Sequence, residues 1–258
     1  MPKPVPAYLL IDLSNSFTKF AAASRDCLKR VSRIPTSALT RRALEGMARP
    51  GQKIVLSSVV PEKTRLVLKA FAPQVRRGDF VNVTSRLNIG AGIDFPRPSS
   101  IGADRLANAA AVRRLYGAPA VVVDFGTAVT FDIISSEGSY IGGVIAPGLS
   151  AMTDYLFENT ALLPHIRPVE PASAIGKSTR SAMLAGTVYG YRGLVREILA
   201  EIRHELRPRR RLHIVATGGY ARLISARLPE IGTVHPNLTL EGLRIIGNLN
   251  FETGERQA

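Results

Sequence analysis

The sequence is poor in the side chains that most often supply metal ligands and nucleophiles. Its 258 residues include one cysteine and four histidines. The lone Cys27 excludes an internal disulfide and a cysteine-based metal cluster, and it agrees with a reducing compartment. The histidines have no ligand spacing, no Ser-His-Asp arrangement can be argued, and neither a P-loop nor a GxGxxG motif is present.

Long apolar runs are also missing. No run approaches the roughly 20 residues that a membrane span needs. The start, MPKPVPAYLLID, has neither the apolar core nor the cleavage site of a signal peptide. We therefore expect a cytoplasmic protein with no membrane partner. The hydrophobic content of 45% is that of an ordinary globular protein, long enough for one large domain or two smaller ones.

Acidic residues are few: 20 against 34 basic ones, which gives a formal net charge of +14. A basic surface attracts polyanions through phosphate contacts. However, the basic pairs and triplets are scattered along the chain, and no zinc finger or basic-aromatic motif accompanies them. A solvated basic enzyme surface is the preferred interpretation, and a nucleic-acid partner is not expected.

What the chain does have is an internal repeat. The segment LLIDLSNSFT, which contains Asp12 and Thr18, returns as VVVDFGTAVT, which contains Asp124 and Thr130. Each copy is an apolar run that ends in a carboxylate, followed by a turn of small polar residues and a threonine six positions after the aspartate. Two copies predict two similar lobes whose acidic turns face each other across a cleft, a place for a phosphate chain with a metal.

Apolar periodicity predicts the same α/β plan in both lobes. In the first lobe the predicted elements are strands over 5–12, 16–24, 27–34 and Lys53–Ser57, helices over Thr36–Met47, from Pro61 to 72 and over Ala103–Tyr116, and a loop over 88–101. In the second lobe they are strands near 119–124, 128–135, 139–145, 212–216 and 231–234, and helices after Pro147, over Arg180–Leu206, after Gly219 and over 239–251. We expect domains over 1–108 and 109–258.

The second acidic turn, Asp124 to Thr127, has the chemistry of an anion site. Gly126 allows a turn that other residues would strain, so that backbone N–H groups can point at an anion, and Thr127 adds a hydroxyl donor. Asp124 at the strand end can hold a cation beside that anion. The alternative is an ordinary hairpin with an acidic first position; the duplication favours the functional interpretation.

The first acidic turn is its counterpart. Ser14, Asn15, Ser16 and Thr18 all offer hydrogen-bond donors, and Lys19 can supply a positive charge near phosphate. The alternative is a polar turn with a solvated lysine.

Two further motifs carry candidate chemistry. The motif GADR opens a helix after a proline-rich loop, and in it Asp104 is a candidate general base and Arg105 can bind a substrate carboxylate. Alternatively, Asp104 is a capping residue favoured by the helix macrodipole. The pair Gly218-Gly219 after a strand is typical of a backbone approach to a nucleotide, although a glycine pair alone is weak support.

Together these motifs resemble the type III pantothenate kinases, within the acetate and sugar kinase/Hsc70/actin superfamily, over nearly the whole chain. The matching motifs are DLSNSFTK at 12–19, FPRPSSIGADR at 95–105, DFGTAVTFD at 124–132, YIGGVIAPGL at 140–149, GKSTRSAMLAGTVYG at 176–190 and ATGG at 216–219. GADR, DFGTA and GKST in this order and spacing are together highly specific. The resemblance implies two similar ribonuclease H-like lobes, the duplicated actin-like ATPase fold, with a central cleft.

The resemblance also implies a reaction: ATP-dependent phosphorylation of pantothenate to 4'-phosphopantothenate, the first step of coenzyme A biosynthesis. It implies Mg²⁺, a monovalent cation (K⁺ or NH₄⁺) and a homodimer. Asp104 is the implied catalytic base and Asp124 the implied cation ligand. The implied ATP-binding residues are Asp12, Leu13, Ser14, Asn15, Ser16, Phe17, Thr18, Lys19, Thr127, Gly218 and Gly219. The implied substrate-binding residues are Phe95, Gly102, Ala103, Asp104, Arg105 and, in the neighbouring subunit's site, Thr179.

Some positions depart from the family pattern. Ser14 stands where the family's first turn has glycine, and Phe95 replaces a tyrosine. In the substrate loop, Arg97 and Ser100 replace an asparagine and a glutamate. If Ser14 has a positive φ, it carries roughly 1 kcal/mol or more of strain, and Ser14→Gly then improves ATP affinity. Two alternatives stay open: a catalytically weakened member with a regulatory or accessory role, and a kinase of another small alcohol.

Overall fold

The structure is a computed structural model that describes residues 7–251, and it divides into two compact units. Within that range, the first unit comprises the chain up to Gly117, the short segment Gly138–Ile141 and the chain from Asn237 onward. The second unit comprises Ala118–Glu137 and Gly142–Pro236. The last helix therefore belongs to the first unit, although it follows the second unit in the chain.

The elements alternate as an α/β chain does. The strands are β1 Tyr8–Leu13, β2 Phe17–Ala23, β3 Leu28–Pro35, β4 Lys53–Ser58, β5 Phe80–Asn82, β6 Gly92–Ile93, β7 Ala120–Phe125, β8 Ala128–Ile134, β9 Ser139–Pro147, β10 His213–Gly218 and β11 Thr233–Val234. The α-helices are α1 Arg41–Glu45, α2 Pro61–Ala70, α3 Ala72–Arg76, α4 Ala103–Leu115, α5 Leu149–Asn159, α6 Thr179–Leu206, α7 Ala221–Ser225 and α8 Leu238–Phe251. Short 3₁₀ turns cover Thr36–Ala38 and Pro98–Ser100.

Both units are built on the same strand order. The first sheet runs β3-β2-β1-β4-β5, and the strands of the second unit run β9-β8-β7-β10-β11. In the first unit, β1 pairs antiparallel with β2 and parallel with β4; in the second, β7 pairs antiparallel with β8 and parallel with β10. The predicted duplication into two similar α/β lobes is confirmed by this equivalence. The two-residue strand β6 pairs with the first residues of β9.

A separate apolar cluster fills each unit. On one face of β1, Leu9, Ile11 and Leu13 pack with buried residues of β4, α1 and α2. In the second unit, Val121 and Val123 of β7 pack with buried residues of α6 and α7. Side chains alternate between the two faces of a strand. The central strands are buried on both faces, which explains their nearly continuous apolar sequence.

The opposite face of the first sheet is covered by the last helix. Tyr8 of β1 stacks on Phe251 of α8 at a centroid distance of 6.0 Å. Because residues alternate, Asp12 lies on the same face of β1 as Tyr8. Helix α8 thus covers the strand that ends at the first acidic turn.

Helices α4 and α8 approach each other closely at one glycine. A Cβ on Gly242 would lie 1.9 Å from the carbonyl oxygen of Ala107. Nearby, the Thr239 hydroxyl donates a hydrogen bond of 2.9 Å to the buried Asn108 Oδ1. These contacts fix α4, the helix whose first turn contains Asp104.

Three sequence predictions of secondary structure need correction. The helix expected over Thr36–Met47 is wrong: a 3₁₀ turn is followed by an extended Leu39, and α1 starts only at Arg41, with Thr40 as its N-cap. The reason is that Thr36 is buried and forms hydrogen bonds with the first acidic turn through its hydroxyl and its backbone N–H, so the α-helix begins farther along the chain. The short strand β5 was not predicted, and β6 lies inside the expected loop over 88–101.

None of the helices within residues 7–251 combines the length and the apolar character that crossing a membrane requires.

Gly242→Ala should lower the free energy of unfolding by about 1–3 kcal/mol, because the added methyl group forces two helix backbones apart. Urea unfolding followed by circular dichroism measures the change. Gly46→Ala is the matched control. A Cβ on Gly46 meets no atom within 4 Å, so its effect should stay within about 0.5 kcal/mol. Equal effects of the two substitutions would contradict the close helix contact.

Candidate active site

In the first unit, Asp12 is the penultimate residue of β1 and is only 3% exposed. It lies directly opposite Lys19 on β2 and Ser57 on β4. Directly opposed residues share a face of the sheet. The Lys19 Nζ lies 3.7 Å from Asp12 Oδ2, and the Ser14 hydroxyl donates to Asp12 Oδ1 at 3.2 Å. The carboxylate therefore has an ammonium group and a hydroxyl beside it.

In the second unit, Asp124 occupies the equivalent place on β7. It lies directly opposite Thr130 on β8 and Thr217 on β10. The carboxylate rests against Gly218, which has a φ of +92°, and a Cβ there would lie 2.6 Å from Asp124 Oδ1. Both the positive φ and the contact require glycine. Gly218, which the family resemblance implies as an ATP-binding residue, thus positions the Asp124 carboxylate.

The loops of the two hairpins differ in length by one residue. The residues that correspond in the structure are therefore not the ones that the sequence repeat predicts to correspond. The strand pair nearest the turn is Leu13 with Thr18 in the first hairpin and Phe125 with Val129 in the second. The first loop is therefore one residue longer. The sequence repeat aligned Thr18 with Thr130, and this alignment is wrong in the structure. The residue opposite the first aspartate is Lys19.

Thr18 is fully buried and belongs to a chain of hydroxyl groups. Its Oγ1 lies 3.0 Å from the Thr36 Oγ1, and the Thr36 hydroxyl donates to the Ser14 carbonyl at 2.7 Å. A hydroxyl has one hydrogen. Since Thr36 gives its hydrogen to a carbonyl, Thr18 must be the donor to Thr36. Thr18 thus has no hydrogen left for a phosphate group, and we expect it to position the turn.

Thr36 holds the first acidic turn at two points. Besides the bond to Ser14, its backbone N–H donates to the Ser16 carbonyl at 3.0 Å. In a trans peptide, the carbonyl and the next N–H point in opposite directions. The Asn15 N–H therefore points away from Thr36, on an exposed turn. Sequence reasoning missed Thr36 because nothing local distinguishes it.

Neither acidic turn has the strained backbone that the sequence suggested. Among residues 7–251, Arg207 is the one non-glycine residue with a positive φ, so Ser14 is not in the left-handed region. Gly126 also has a negative φ, and a Cβ there would meet its nearest neighbour at 3.4 Å. The strain expected at Ser14 and the special need for glycine at 126 are both wrong. Ser14 instead donates to Asp12.

A second glycine supports the Thr127 turn. The Gly148 N–H donates to the Thr127 carbonyl at 3.1 Å, and a Cβ on Gly148 would lie 2.2 Å from that oxygen. The Tyr191 hydroxyl of α6 donates to the neighbouring Pro147 carbonyl at 3.1 Å. Gly148 was not among the predicted site residues, although the Pro147-Gly148 pair is a sequence signal for a turn.

Asp104 lies in the first turn of α4, after the N-cap Gly102. A Cβ on Gly102 would lie 2.6 Å from Asp104 Oδ1, which accepts a 2.8 Å hydrogen bond from the Arg105 N–H. Burial raises the pKa of Asp104 above its ordinary value, while the Arg105 hydrogen bond and charge act in the opposite direction. A carboxyl group with a raised pKa is a stronger base once ionised.

Tyr140 brings two predicted substrate residues together. The Phe95 ring packs edge-on against the Tyr140 ring at 6.0 Å, and the Arg105 guanidinium lies 5.6 Å from the centre of the same ring. All three belong to the first unit. Phe95 and Arg105 therefore both pack against the Tyr140 ring, and the sequence analysis did not identify Tyr140.

Three further predicted residues lie at, or just before, the start of a helix: Gly219 and Thr179 in the second unit and Ala103 in the first. Gly219 precedes α7, and the Tyr220 hydroxyl lies 2.8 Å from the Ser150 hydroxyl. Thr179 is the exposed first residue of α6 and follows Ser178, whose side chain forms a capping box with Ser181. Ala103 is the buried first residue of α4, so its side chain packs inward.

The acidic residues do not form a metal cluster. Within residues 7–251, no three or more histidine, cysteine, aspartate or glutamate side chains come together. Asp12 and Asp124 are each accompanied by hydroxyl groups. Such a donor set suits a partly hydrated cation that is held together with an anionic ligand.

A cavity of about 500 Å³ in the second unit lies apart from the predicted site residues. Its walls include Glu170, Tyr189, Arg192 and Arg227. The nearly buried Arg192 donates to both Glu170 carboxylate oxygens, at 3.0 and 2.6 Å, and to the Leu223 carbonyl. This pairing lowers the pKa of Glu170. We interpret Arg192 as a structural link between α6 and α7.

Sequence comparison gives one consistent family. The sequence profile of the type III pantothenate kinase family matches residues 8–201. The type III pantothenate kinase of Akkermansia muciniphila is 50% identical over 247 residues, which cover 95% of this chain and 99% of that protein. The type III pantothenate kinase of Methylacidiphilum infernorum is 42% identical over 243 residues, which cover 93% and 88%.

Solved structures with low sequence identity share the fold. A Campylobacter jejuni protein described as a Baf family transcriptional activator superposes with a TM-score of 0.62 at 21% identity, covering 95% of this chain and 99% of that one. The activator of the 2-hydroxyisocaproyl-CoA dehydratase from Clostridium difficile, solved with ADPNP, has a TM-score of 0.52 at 12% identity, covering 97% and 96%. These similarities confirm the predicted fold class.

Thr36→Val should raise the KM for ATP about tenfold with a smaller effect on kcat, because it frees the Ser14 carbonyl and with it the turn. Thr36→Ser should restore most of the affinity. Thr18→Val should have a smaller effect than Thr36→Val, since the bond to Ser14 survives. Steady-state kinetics over a range of ATP concentrations measures all three.

Thr40→Val is the matched control for Thr36. It removes an N-cap hydrogen bond four residues along the same segment and should leave the KM for ATP unchanged. A larger effect of Thr18→Val than of Thr36→Val would contradict the direction assigned to the hydroxyl chain.

Proposed function

This chain belongs to the type III pantothenate kinase family, and we propose that Asp104 is the general base of its reaction. The protein is an ATP-dependent kinase that converts pantothenate to 4'-phosphopantothenate, the first step of coenzyme A biosynthesis. One observation carries the role of Asp104: a carboxyl group with a raised pKa lies in the first turn of α4, beside Arg105.

Asp104 would accept the proton of the primary hydroxyl of pantothenate as that oxygen attacks the γ-phosphorus in line. Arg105 would bind the substrate carboxylate, and the Tyr140 ring beneath its guanidinium limits its orientations. Phe95 on the same ring would contact the apolar part of pantothenate. Gly102 and Ala103 would border the substrate as the start of α4.

The acidic turns would bind the phosphates of ATP. Backbone N–H groups of the first turn, above all that of Asn15, and the Lys19 ammonium would contact one part of the triphosphate. The Thr127 hydroxyl would contact another, and Gly218 and Gly219 would border the adenosine. Reaction with ATP involves a divalent metal, for which we propose Mg²⁺ carried on the phosphates.

We propose that Asp124 is a ligand of a monovalent cation, K⁺ or NH₄⁺. The donor set fits such an ion. Thr217, directly opposite Asp124, is 1% exposed, and its Oγ1 has no hydrogen-bond partner among the described residues. A buried hydroxyl without a partner is costly. A bound cation or its water would supply one, and the ion's charge would offset that of the phosphates.

We propose a homodimer formed through the second unit. Among the described residues, seven of the eleven exposed large apolar side chains lie between positions 145 and 189: Ile145, Tyr155, Phe157, Leu162, Val169, Ile175 and Tyr189. A Cβ on Gly186, Gly190 or Gly193 of α6 would meet no atom within 4 Å. Small residues let helix backbones approach closely, and a two-fold interface would take Thr179 to the neighbour's substrate.

The alternatives have less support. A weakened accessory protein was suggested by strain at Ser14, and Ser14 lacks a positive φ. No observation favours another small alcohol as the substrate. The cytoplasmic location stays a prediction.

Asp104→Asn should reduce turnover at least about 100-fold, because the base is lost. The same substitution should not destabilise the protein at pH 7. Burial raises the Asp104 pKa above its ordinary value of 3.8, so the wild type loses stability as pH rises through the raised pKa. Asparagine avoids this loss, and the stability difference should vanish below about pH 3.8.

A coupled assay of ADP release and urea unfolding at several pH values measure both effects. Asp79→Asn is the matched control, an aspartate of the same unit paired with Arg77, and should keep full turnover. An Asp104→Asn enzyme that retains more than a tenth of wild-type turnover would rule out the general-base role.

Mixing Asp104→Asn protomers with Thr179→Ala protomers should restore about a quarter of wild-type activity. Random exchange makes half of the dimers mixed, and each mixed dimer gathers both lesions in one site and leaves the other intact. Subunit exchange is verified by native mass spectrometry. Full exchange with no recovery of activity would contradict the shared site.

A further inference from the structure

We infer that position 130 decides the need for a monovalent cation, because the ion takes the place at Asp124 that the Lys19 ammonium takes at Asp12. This inference rests on the proposed cation role of Asp124. It explains why the enzyme would need the ion, and it assigns Thr130 and Thr217 as the residues that lie beside the ion together with Asp124.

The first step is the register of the two sheets. Asp12 and Asp124 occupy the same place in the two units, and Lys19 and Thr130 are the residues directly opposite them on the antiparallel neighbour strand. Opposed side chains share a face and lie within reach of each other. The equivalent position therefore holds an ammonium group in the first unit and a hydroxyl group in the second.

The second step is the observed contact in the first unit. The Lys19 Nζ lies 3.7 Å from the Asp12 Oδ2, and the side chain of Lys19 is 27% exposed. The side chain of Lys19 therefore places an ammonium group at the end of β1, beside Asp12. NH₄⁺ carries the same charge and chemistry as this group, and K⁺ has a similar ionic radius. Both ions suit an equivalent place in the second unit.

The third step concerns the oxygen atoms around that place. Thr217 lies on the other side of Asp124 from Thr130, on the same face of the sheet. Its buried Oγ1 forms no hydrogen bond with the described residues. The close contact of Gly218 with the Asp124 Oδ1 holds the carboxylate at the end of β10, next to Thr217. One carboxylate flanked by two hydroxyl groups is an oxygen set for a weakly charged cation.

Ser57 repeats the feature in the first unit. It lies opposite Asp12 as Thr217 lies opposite Asp124, it is 1% exposed, and its Oγ also has no partner among the described residues. The same buried hydroxyl beside the same carboxylate occurs twice, so it belongs to the common plan of the two units. What distinguishes the second unit is the residue on the other side, Thr130.

The test is Thr130→Lys in the full-length enzyme, with Thr130→Met as the uncharged control of similar length. Turnover and the thermal unfolding midpoint are measured in KCl, NaCl and tetramethylammonium chloride at equal ionic strength. We expect wild-type activity and midpoint to rise with K⁺. In Thr130→Lys, stimulation by K⁺ should fall below about twofold, the midpoint should no longer respond to K⁺, and activity without K⁺ should exceed that of the wild type at least tenfold.

Thr130→Met should lose the response of the midpoint to K⁺ without gaining activity in its absence. A folded Thr130→Lys enzyme that still requires K⁺ would overturn the inference alone. A wild type with no response to K⁺ in either measurement would overturn the cation role as well. The two failures are therefore distinguishable.

Thr217→Val provides a second, independent variant should Thr130→Lys fail to fold. It removes one neutral oxygen from the proposed cation environment and fills nearly the same volume. The concentration of K⁺ that gives the half-maximal shift of the unfolding midpoint should rise about fivefold. An unchanged concentration would exclude Thr217 as a ligand and contradict the proposed site.

Discussion

Each unit depends on one constraint: its first strand is paired on both sides, and it delivers a single aspartate to the carboxyl end of the sheet. β1 lies between β2 and β4, and β7 lies between β8 and β10. Because the pairing fixes the register, the residues beside each carboxylate are set by the sheet and not by flexible loops. They are Lys19 and Ser57 in the first unit and Thr130 and Thr217 in the second.

In both units, contacts around the aspartate fix the turn that follows it, but the kind of contact differs between the units. In the first unit, two hydrogen bonds from Thr36 hold the turn that follows Asp12. In the second, backbone approaches at Gly148 and Gly218 hold the turn that follows Asp124. Hydrogen bonds from one threonine and close glycine contacts are alternative means of fixing a turn at the end of a strand. The two copies thus keep the sheet and differ in how the loops are supported.

Local patterns were sufficient for the longer strands, for the duplication and for the positions of Asp12 and Asp124 near the ends of β1 and β7, because these features depend on short apolar runs. They missed the short strands β5 and β6. The sequence was not sufficient for Thr36, whose bond to the Ser14 carbonyl spans 22 residues. It also misaligned Thr18 with Thr130, because loop length is decided by strand pairing. Backbone strain at Ser14 was expected because the family has glycine at this position. The φ angle of a residue depends on the geometry of its turn, and in this turn Ser14 does not have a positive φ.

The most direct measurement is ³¹P NMR of the wild-type protein incubated with MgATP and pantothenate in potassium buffer. The account predicts that the γ-phosphate signal of ATP decreases while a phosphomonoester signal increases by the same amount, and that neither changes when pantothenate is omitted. Conversion of ATP to inorganic phosphate without a phosphomonoester, or no consumption of ATP, would contradict phosphoryl transfer to the substrate hydroxyl.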